Sequence, residues 1–356
     1  MHFRRGLAGD KFAKVFWFFF SKKNCFLSLD ALARPVRCLH MGFPRNAAAS
    51  CLALVSCALA GCGGGGSGGT CTLGAAADLP VTTRRHAYFT DITINDGQAH
   101  LQVDTGAFTN LLSETAATRL GMAQRVLERA RLVGVGTGER PMNVAMSDRV
   151  QVGAAHGEHV AFITTDARAL PPDVDGLLGM DFMAGYDDDL DFAGGHLRLV
   201  AAHGECSKPA SPLPQPVYTV PLERAGVSDS PAITITISGK PLKAVIDTGA
   251  ATTLLFRPAA EQIGLPVEAI LAAGHGTLGG VGLHPARGAV GRLNLPMEIG
   301  GLQIDHMPAA IADQRGPGDV DVLLGYDFVT LVHVWVSHSS RTVLMQYPAR
   351  PTPVVK

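Results

Sequence analysis

The feature that most constrains this 356-residue chain is a pattern that occurs twice. Each copy has an apolar strand-like run ending in Asp-Thr-Gly-Ala, and later an apolar segment ending in Leu-Leu-Gly, followed by an aspartate and a phenylalanine. The first aspartate and the later glycine are 75 residues apart for Asp104 and Gly179, and 78 residues apart for Asp247 and Gly325. Two unrelated motifs that recur in the same order at nearly equal spacing indicate a duplicated fold.

The residues before each Asp-Thr-Gly predict strands rather than helices. In each copy, alternating isoleucine and threonine lead into a turn, at residues 95–97 and 238–240, and then into a short run that ends at the aspartate. This order predicts a β-hairpin that presents the aspartate at the end of its second strand. The 41 glycines and 22 prolines, with no sustained heptads, favour a turn-rich, all-β protein.

The repeated motifs resemble those of retropepsin-type aspartic peptidases, and in particular the duplicated members carried on bacterial lipoproteins. The resemblance covers residues 86–347. It implies an all-β fold of two similar closed-barrel lobes, related by a pseudo-two-fold axis, with the active site between them.

The same resemblance implies a role for each motif residue. Asp104 and Asp247 match the catalytic pair. The adjacent threonines and glycines match residues that support the pair by hydrogen bonding and by close backbone approach. These supporting residues are Thr105, Gly106, Thr248 and Gly249.

A glycine-rich segment lies between the two motifs of each copy. These segments match the flaps of the family only loosely, and neither contains a tyrosine. A phosphate-binding loop is the alternative, but the glycine spacing fits neither the dinucleotide nor the P-loop pattern. The flap candidates are Gly134, Val135, Gly136, Gly280, Val281 and Gly282.

A pair of aspartates predicts peptide hydrolysis by activated water. Two adjacent carboxylates share one proton, so one can act as base and the other as acid. The predicted function is therefore an aspartic endopeptidase acting on an extended peptide or protein. The alternatives are a catalytically silent peptide-binding lipoprotein of the same fold, and sites formed between two chains. The duplication favours a monomer with an intramolecular site.

The N-terminal region predicts export and lipid attachment. Residues 47–60 form an apolar run typical of a signal peptide, and the segment Leu59–Cys62 resembles a bacterial lipobox. Residues 1–61 are predicted to be an upstream extension plus signal, with Met41 a natural start. Cys62 would carry the lipid, and Gly63 favours the outer membrane, facing the periplasm. A plain secretory signal is the alternative.

The remaining boundaries follow from composition. A flexible tether is predicted over residues 62–85, an N-terminal lobe over 86–202, a proline-rich linker over 203–216, a C-terminal lobe over 217–347 and a tail over 348–356. Once the signal is removed and Cys62 is lipidated, Cys71 and Cys206 are the only thiols left. They are predicted to pair in an oxidising compartment, with two free thiols as the alternative.

Charge and motif spacing exclude several other functions. The whole chain has a net charge of −1, and residues 1–61 contribute +7, from nine Lys and Arg against two Asp. The remaining residues therefore have a net charge of −8, which disfavours binding to nucleic acid. No metal or cofactor is predicted, because neither zinc-type nor EF-hand spacing occurs. The acidic run 187–191 is interpreted as a solvated turn, and Asp181 and Asp327 as helix N-terminal carboxylates.

Overall fold

The computed structural model describes residues 12–14, 19–20, 71–133, 135, 140–171, 173–204, 206, 213–225, 228–274, 276–280, 284 and 286–348. All of these described residues belong to one compact unit. Residues 22–69 lie outside the described ranges. Among the described residues, no helix has the length and apolar character needed to cross a membrane.

The first half of the chain contains fifteen described strands and two short α-helices. The strands are β1 (Phe12–Lys14), β2 (Phe19–Phe20), β3 (Thr72–Pro80), β4 (Thr82–Arg84), β5 (Ala87–Ile94), β6 (Gly97–Val103), β7 (Leu111–Ser113), β8 (Ala123–Val133), β9 (Arg140–Met146), β10 (Arg149–Val152), β11 (Ala155–Glu158), β12 (Ala161–Thr165), β13 (Gly176–Leu178), β14 (Asp187–Asp191) and β15 (His196–His203). The helices are α1 (Glu114–Arg119) and α2 (Met180–Met183), with a 3-10 turn at Ala167–Ala169.

The second half contains eleven described strands and three helices. The strands are β16 (Tyr218–Pro221), β17 (Glu223–Ala225), β18 (Ser228–Ile237), β19 (Lys240–Ile246), β20 (Leu254–Phe256), β21 (Gly276–Gly279), β22 (Ala286–Ile299), β23 (Leu302–Ala312), β24 (Val322–Leu324), β25 (His333–Ser337) and β26 (Thr342–Gln346). The helices are α3 (Arg257–Gln262), α4 (Val267–Ala273) and α5 (Tyr326–Leu331).

Six strands of the C-terminal lobe close into a barrel. The order around the ring is β22, β23, β20, β24, β19 and β18, and the ring closes where β18 pairs with β22 at Thr236↔Glu298 and Ile237↔Met297. The pairs β19–β24 and β20–β23 are parallel, and the other pairs are antiparallel. A closed ring leaves no exposed edge among these six strands and encloses their apolar side chains.

The N-terminal lobe has the same ring with one strand interrupted. The pairs β5–β6, β6–β13, β13–β7 and β7–β12 repeat the order of the C-terminal lobe. Strands β9 and β10 together take the place of β22, with a break between Met146 and Arg149, and they pair with β12 and β5. The two lobes are therefore similar, and the fold is the predicted all-β architecture.

A six-stranded sheet joins the two halves of the chain. Its order is β16, β26, β25, β14, β15 and β3, so the halves meet where β14 pairs antiparallel with β25. One face of this sheet carries Leu190, Leu197, Val334 and Met345, which belong to the same buried apolar cluster as the cores of both barrels. The two lobes are therefore held in one continuous hydrophobic core rather than by a linker alone.

The predicted turns form two-residue hairpin connections. Asn95 and Asp96 have φ values of 47° and 65°, and Ser238 and Gly239 have values of 51° and 71°. Two successive residues of positive φ match the right-handed twist of the flanking strands, which is why short polar residues and glycine occur here. The hairpins β5–β6 and β18–β19 are confirmed.

The tether prediction requires correction at its C-terminal end. Residues 72–84 form strands β3 and β4, and β3 pairs with β15 along eight positions. Ala77 and Leu79 are buried in the main core. The alanine-rich sequence of β3 has little intrinsic strand preference, so the ladder with β15 decides its conformation. Farther upstream, strands β1 and β2 lie within the predicted extension. Strand β1 pairs with β21, and β2 pairs with β8.

The acidic run 187–191 is not a solvated turn. It is strand β14, and all five of its residues are buried. Asp189 accepts one hydrogen bond from Arg198, and its Oδ1 lies 2.6 Å from His333 Nε2. Asp187 accepts from the Ser337 hydroxyl. Because these partners come from neighbouring strands that only the tertiary fold brings close, burial of the carboxylates could not be read from the run itself.

Cys71 and Cys206 form a disulfide, as the cysteine count predicts. Their Cα atoms are 4.8 Å apart, and the bond closes a loop between residues 135 positions apart in sequence. Cys71 immediately precedes β3, and Cys206 follows β15. The bond therefore holds the ends of two antiparallel strands together at the edge of the shared sheet.

Removal of this disulfide is expected to destabilise the fold. Replacing both cysteines with serine should lower the free energy of unfolding by about 2–5 kcal/mol, because the unfolded chain loses a long covalent loop. Chemical denaturation of the variant and the parent protein measures the difference. Equal stability, with both parent thiols open to alkylation without reductant, would show that the bond is absent in solution.

Candidate active site

Equivalent strands bring the two Asp-Thr-Gly loops to the same place. Strands β6 and β19 each lie beside the short parallel strand of the Leu-Leu-Gly segment, β13 and β24. The Asp104 amide donates to Leu178 O at 3.0 Å, and the Asp247 amide donates to Leu324 O at 2.9 Å. The second motif of each repeat therefore supports the first, which explains their fixed spacing.

Two threonines lock the loops to each other across the lobe boundary. Thr105 Oγ1 donates to Ile246 O at 2.6 Å, and Thr248 Oγ1 donates to Val103 O at 2.8 Å. Each hydroxyl also accepts the other threonine's backbone N–H, at 3.1 Å in both directions. All four bonds join one lobe to the other, and they fix the relative position of the adjacent aspartates.

The Asp104 and Asp247 side chains are fully buried and interact directly. Asp104 Oδ1 accepts from the Ala107 amide at 2.9 Å, and Asp247 Oδ1 accepts from the Gly249 and Ala250 amides at 2.9 and 3.1 Å. Among the described residues, no other group donates a hydrogen bond to either Oδ2 atom. One proton shared between the carboxyls would supply the missing donor.

Burial is the main influence on the ionisation of this pair. Loss of water raises the pKa of Asp104, while the backbone N–H bonds oppose the rise. Burial also raises the pKa of Asp247 well above its ordinary value, and the negative charge of Asp104 raises it further. The pair therefore keeps a proton over a pH range in which isolated aspartates are ionised.

Close approach explains the glycine of the second motif. A Cβ atom on Gly249 would lie 2.4 Å from Asp104 Oδ1 and 2.3 Å from Asp104 Cγ. Any larger residue would push the carboxyl of the opposite lobe away. The φ angle of Gly249 is not positive. Glycine is therefore required here for space rather than for an unusual backbone conformation.

Asp181 and Asp327 hold the loops that follow the aspartates. Asp181 accepts from Thr109 Oγ1 at 2.7 Å and from the Asn110 amide at 2.8 Å. Asp327 accepts from Thr252 Oγ1 at 2.8 Å and from both the amide and the hydroxyl of Thr253. Both aspartates also lie in the first turn of a helix, as predicted, and Asp327 Oδ1 accepts the Phe328 amide of that helix at 3.0 Å. Each carboxylate therefore joins a helix N-terminus to an active-site loop.

Two hairpins occupy the positions of the predicted flaps. Strands β8 and β9 form the first, and β21 and β22 form the second. Val135, beyond the end of β8, is buried in a cluster that contains Ala250 of the opposite loop and Leu278 of the second hairpin. Gly280 follows β21 and is half-buried. The other flap candidates lie outside the described residues, as does Cys62: Gly134, Gly136, Val281 and Gly282.

The contribution of several residues to the shape of the site was missed from the sequence. Asp181 and Asp327 recur in both repeats, so the repeat itself could have indicated a shared role. Asn110 and Thr253 occupy equivalent positions but differ in type, and each accepts the N–H of the Leu-Leu-Gly glycine. Within the described residues, no group of three or more His, Cys, Asp or Glu could hold a metal ion.

Comparison with known proteins identifies the family. A sequence model described as aspartyl protease matches residues 90–182 and 233–328, together just over half of the chain. The chain belongs to this family, and the two matched regions are the two repeats. No curated protein matches the chain.

Among solved structures, the crystal structure of aspartic proteinase from Irpex lacteus is similar. The two proteins are 11% identical, with a TM-score of 0.47, over 80% of this chain and 100% of that chain.

Loss of an aspartate clamp is expected to destabilise the site. Changing Asp327 to Ala leaves the amide of Thr253 and two hydroxyls without their acceptor, which should lower the free energy of unfolding by about 1–3 kcal/mol. Asp305→Ala, at an exposed position on β23, is the matched control and should change it by less than about 0.5 kcal/mol. Urea denaturation compares the two, and equal effects would contradict the clamp.

Four buried carboxyl groups are expected to make the folded protein less stable as the pH rises. Burial raises the pKa of Asp181 and of Asp188 to about 6, and it raises those of Asp104 and Asp247 as well. The folded protein therefore binds more protons than the unfolded chain at mildly acidic pH. This contribution to stability is complete below the ordinary carboxyl pKa and is lost as pH rises through 6 and above.

We expect the melting temperature to rise when the pH is lowered from about 8 to about 5, with a contribution on the order of 1 kcal/mol from each buried carboxyl. Thermal unfolding across this range measures the effect. Asp188→Asn removes one titrating group at constant shape and should flatten the dependence. A melting temperature that stays constant or falls on acidification contradicts the assignment.

Proposed function

We propose that this protein is an aspartic endopeptidase with one active site inside a single chain. The observation that carries the proposal is the pair of fully buried, interacting carboxyls, one from each lobe, whose Oδ2 atoms receive no hydrogen bond from any other described residue. Family membership supports a protease-like function. The intramolecular pairing supports a monomer as the active form.

The chemistry follows from a pair that holds a single proton. The ionised carboxyl accepts a proton from a water molecule as the water attacks the peptide carbonyl, and the protonated carboxyl donates to the carbonyl oxygen. The proton taken from water then passes to the amide nitrogen as the carbon–nitrogen bond breaks, and a hydroxyl of the tetrahedral diol returns a proton to the other carboxylate, which restores the pair to a single proton. After the first transfer the base carries a proton and the acid is ionised, so each carboxyl acts once as acid and once as base. The pKa values of the coupled groups belong to the pair rather than to Asp104 or Asp247 alone.

Apolar side chains beside the pair support an extended peptide as the substrate. Phe108 and Leu127 pack against the cluster that contains Ala107. On the other side, Val135 and Leu278 belong to the cluster that contains Ala250. Phe108 and Leu127 are partly exposed, whereas Val135 and Leu278 are buried, so the apolar surface that we propose for an extended peptide is on the Ala107 side of the pair.

The central test replaces each aspartate with asparagine. Asp104→Asn and Asp247→Asn should each lower the rate of peptide hydrolysis by at least about 10²-fold, because an amide cannot carry out the proton transfers. The double variant should be similarly inactive, since groups that act as a unit are not additive. Hydrolysis of a peptide library at several pH values measures the rates, and circular dichroism checks that each variant is folded.

Mixing the two single variants separates the two possible architectures. With the site inside one chain, the mixture stays inactive. A site formed between chains would regain activity, because some pairs would then contain both aspartates. Full activity in either folded single variant would contradict the peptidase and leave a peptide-binding protein as the explanation of the fold.

A further inference from the structure

Each catalytic loop contains one peptide unit that forms hydrogen bonds through both its N–H and its carbonyl group. The N–H of the Gly106–Ala107 peptide donates to Asp104 Oδ1, and that of Gly249–Ala250 donates to Asp247 Oδ1. The carbonyl of the same peptide points the opposite way, since a planar amide fixes the two groups on opposite sides. Whatever holds the carbonyl therefore also directs the N–H at the aspartate.

The carbonyl of Gly249 is held by a side chain from the other lobe. Gln102 lies on β6, two residues before Asp104, and it is buried. Its Nε2 donates to Gly249 O at 3.2 Å. Gln102 therefore belongs to the strand that delivers one aspartate but holds the peptide that hydrogen-bonds the other.

The carbonyl of Gly106 is held in the reverse direction. Ser230 lies on β18 of the C-terminal lobe and is also buried, and its Oγ donates to Gly106 O at 3.2 Å. Ser228 fixes the serine in turn: its Oγ accepts the Ser230 amide at 3.0 Å and lies 2.7 Å from the Ser230 hydroxyl. A short chain of hydroxyls thus ends on the active-site loop of the opposite lobe.

These two contacts do not follow the repeat. The residue equivalent to Gln102, two positions before Asp247, is Val245, which packs in an apolar cluster and cannot donate. The second lobe uses Ser230, on a different strand, for the equivalent contact. Two unrelated side chains that reach equivalent carbonyls across the same boundary indicate a shared requirement of the site.

We propose that Gln102 and Ser230 are positioning residues that lock the Gly249–Ala250 and Gly106–Ala107 peptides, each from the opposite lobe, and so aim one N–H at each aspartate. The proposal rests on the proposed peptidase function only for its kinetic consequence. Its structural content concerns the loops alone. It adds a second set of contacts between the lobes, separate from the threonine exchange.

The contacts of Gln102 and Ser230 with the two peptides, here called the lock, should influence the acid limb of the pH–activity profile. An N–H bond to an ionised carboxyl stabilises the charged form, so weaker alignment of that bond raises the pKa of the pair. In the described residues, the titratable group that faces each carboxyl is the other carboxyl. A change at Gln102 or Ser230 adds no charge, and it therefore acts on the pair only through the peptide it releases.

The first test measures hydrogen exchange in the two loops and needs no activity. Gln102→Met removes the donor at similar size, and we expect faster exchange across residues 247–253 of the opposite lobe. Ser230→Ala should instead speed exchange across residues 104–110. Ser230→Thr keeps a hydroxyl and should restore protection. Gln98→Met, at an exposed position on the same strand, is the matched control and should alter neither loop.

The second test measures the pH profile of kcat/KM on a peptide that the parent protein cleaves. Gln102→Met and Ser230→Ala should each lower kcat by roughly 10-fold with little change in KM. Each should also move the acid limb upward by roughly 0.5 of a pH unit. Ser230→Thr and Gln98→Met should retain the parent profile.

The two tests fail in different ways. Exchange that increases only in the variant's own lobe, or in neither loop, overturns the lock whatever the activity. Unchanged pH profiles in folded variants of an active enzyme overturn its influence on the pair. If the parent protein cleaves no peptide, the proposed function fails, and the exchange experiment still decides whether the lock exists. Should Gln102→Met not fold, Ser230→Ala and Ser230→Thr carry the same test.

Discussion

Two carboxyl groups buried against each other are the constraint on which the structure depends. Burial removes the carboxyl groups from bulk water and so disfavours two negative charges. The surrounding protein must therefore supply hydrogen bonds, and the two groups must share a proton. The backbone amides beside Asp104 and Asp247 supply those bonds. They can do so only if two separate loops are held at fixed positions, and much of the described tertiary structure serves that purpose.

The loops are held by contacts that cross between the lobes. Thr105 and Thr248 take part in four hydrogen bonds between the lobes, two of them to each other, and Gln102 and Ser230 add one each. Behind them, the Leu-Leu-Gly strands accept the aspartate amides within each lobe. Because the contacts within each lobe set one aspartate and the contacts between lobes set their relation, neither lobe could form the pair by itself.

The shared sheet places a second set of buried charges away from the carboxyl pair. Strand β14 carries Asp189 and Asp191 beside Arg198 and His333, and its contacts with β25 join the two halves of the chain. Paired charges of this kind contribute little net stability, but breaking one pair leaves an uncompensated buried charge. The sheet therefore joins the two halves of the chain through buried polar contacts as well as through apolar packing.

The sequence by itself determined the duplication, the two hairpins, the aspartate pair and the cysteine pair, because each is carried by a local motif or by a count. It did not determine that residues 72–84 form strands, that the acidic run 187–191 is buried, or that Gln102 and Ser230 reach across to the opposite loop. Apart from β4, which pairs with the adjacent β5, and the bond from Arg198 to Asp189, those features depend on partners more than a hundred residues away, whose positions follow from packing. Local pattern describes what a segment prefers, whereas burial and long-range hydrogen bonds decide which preference prevails.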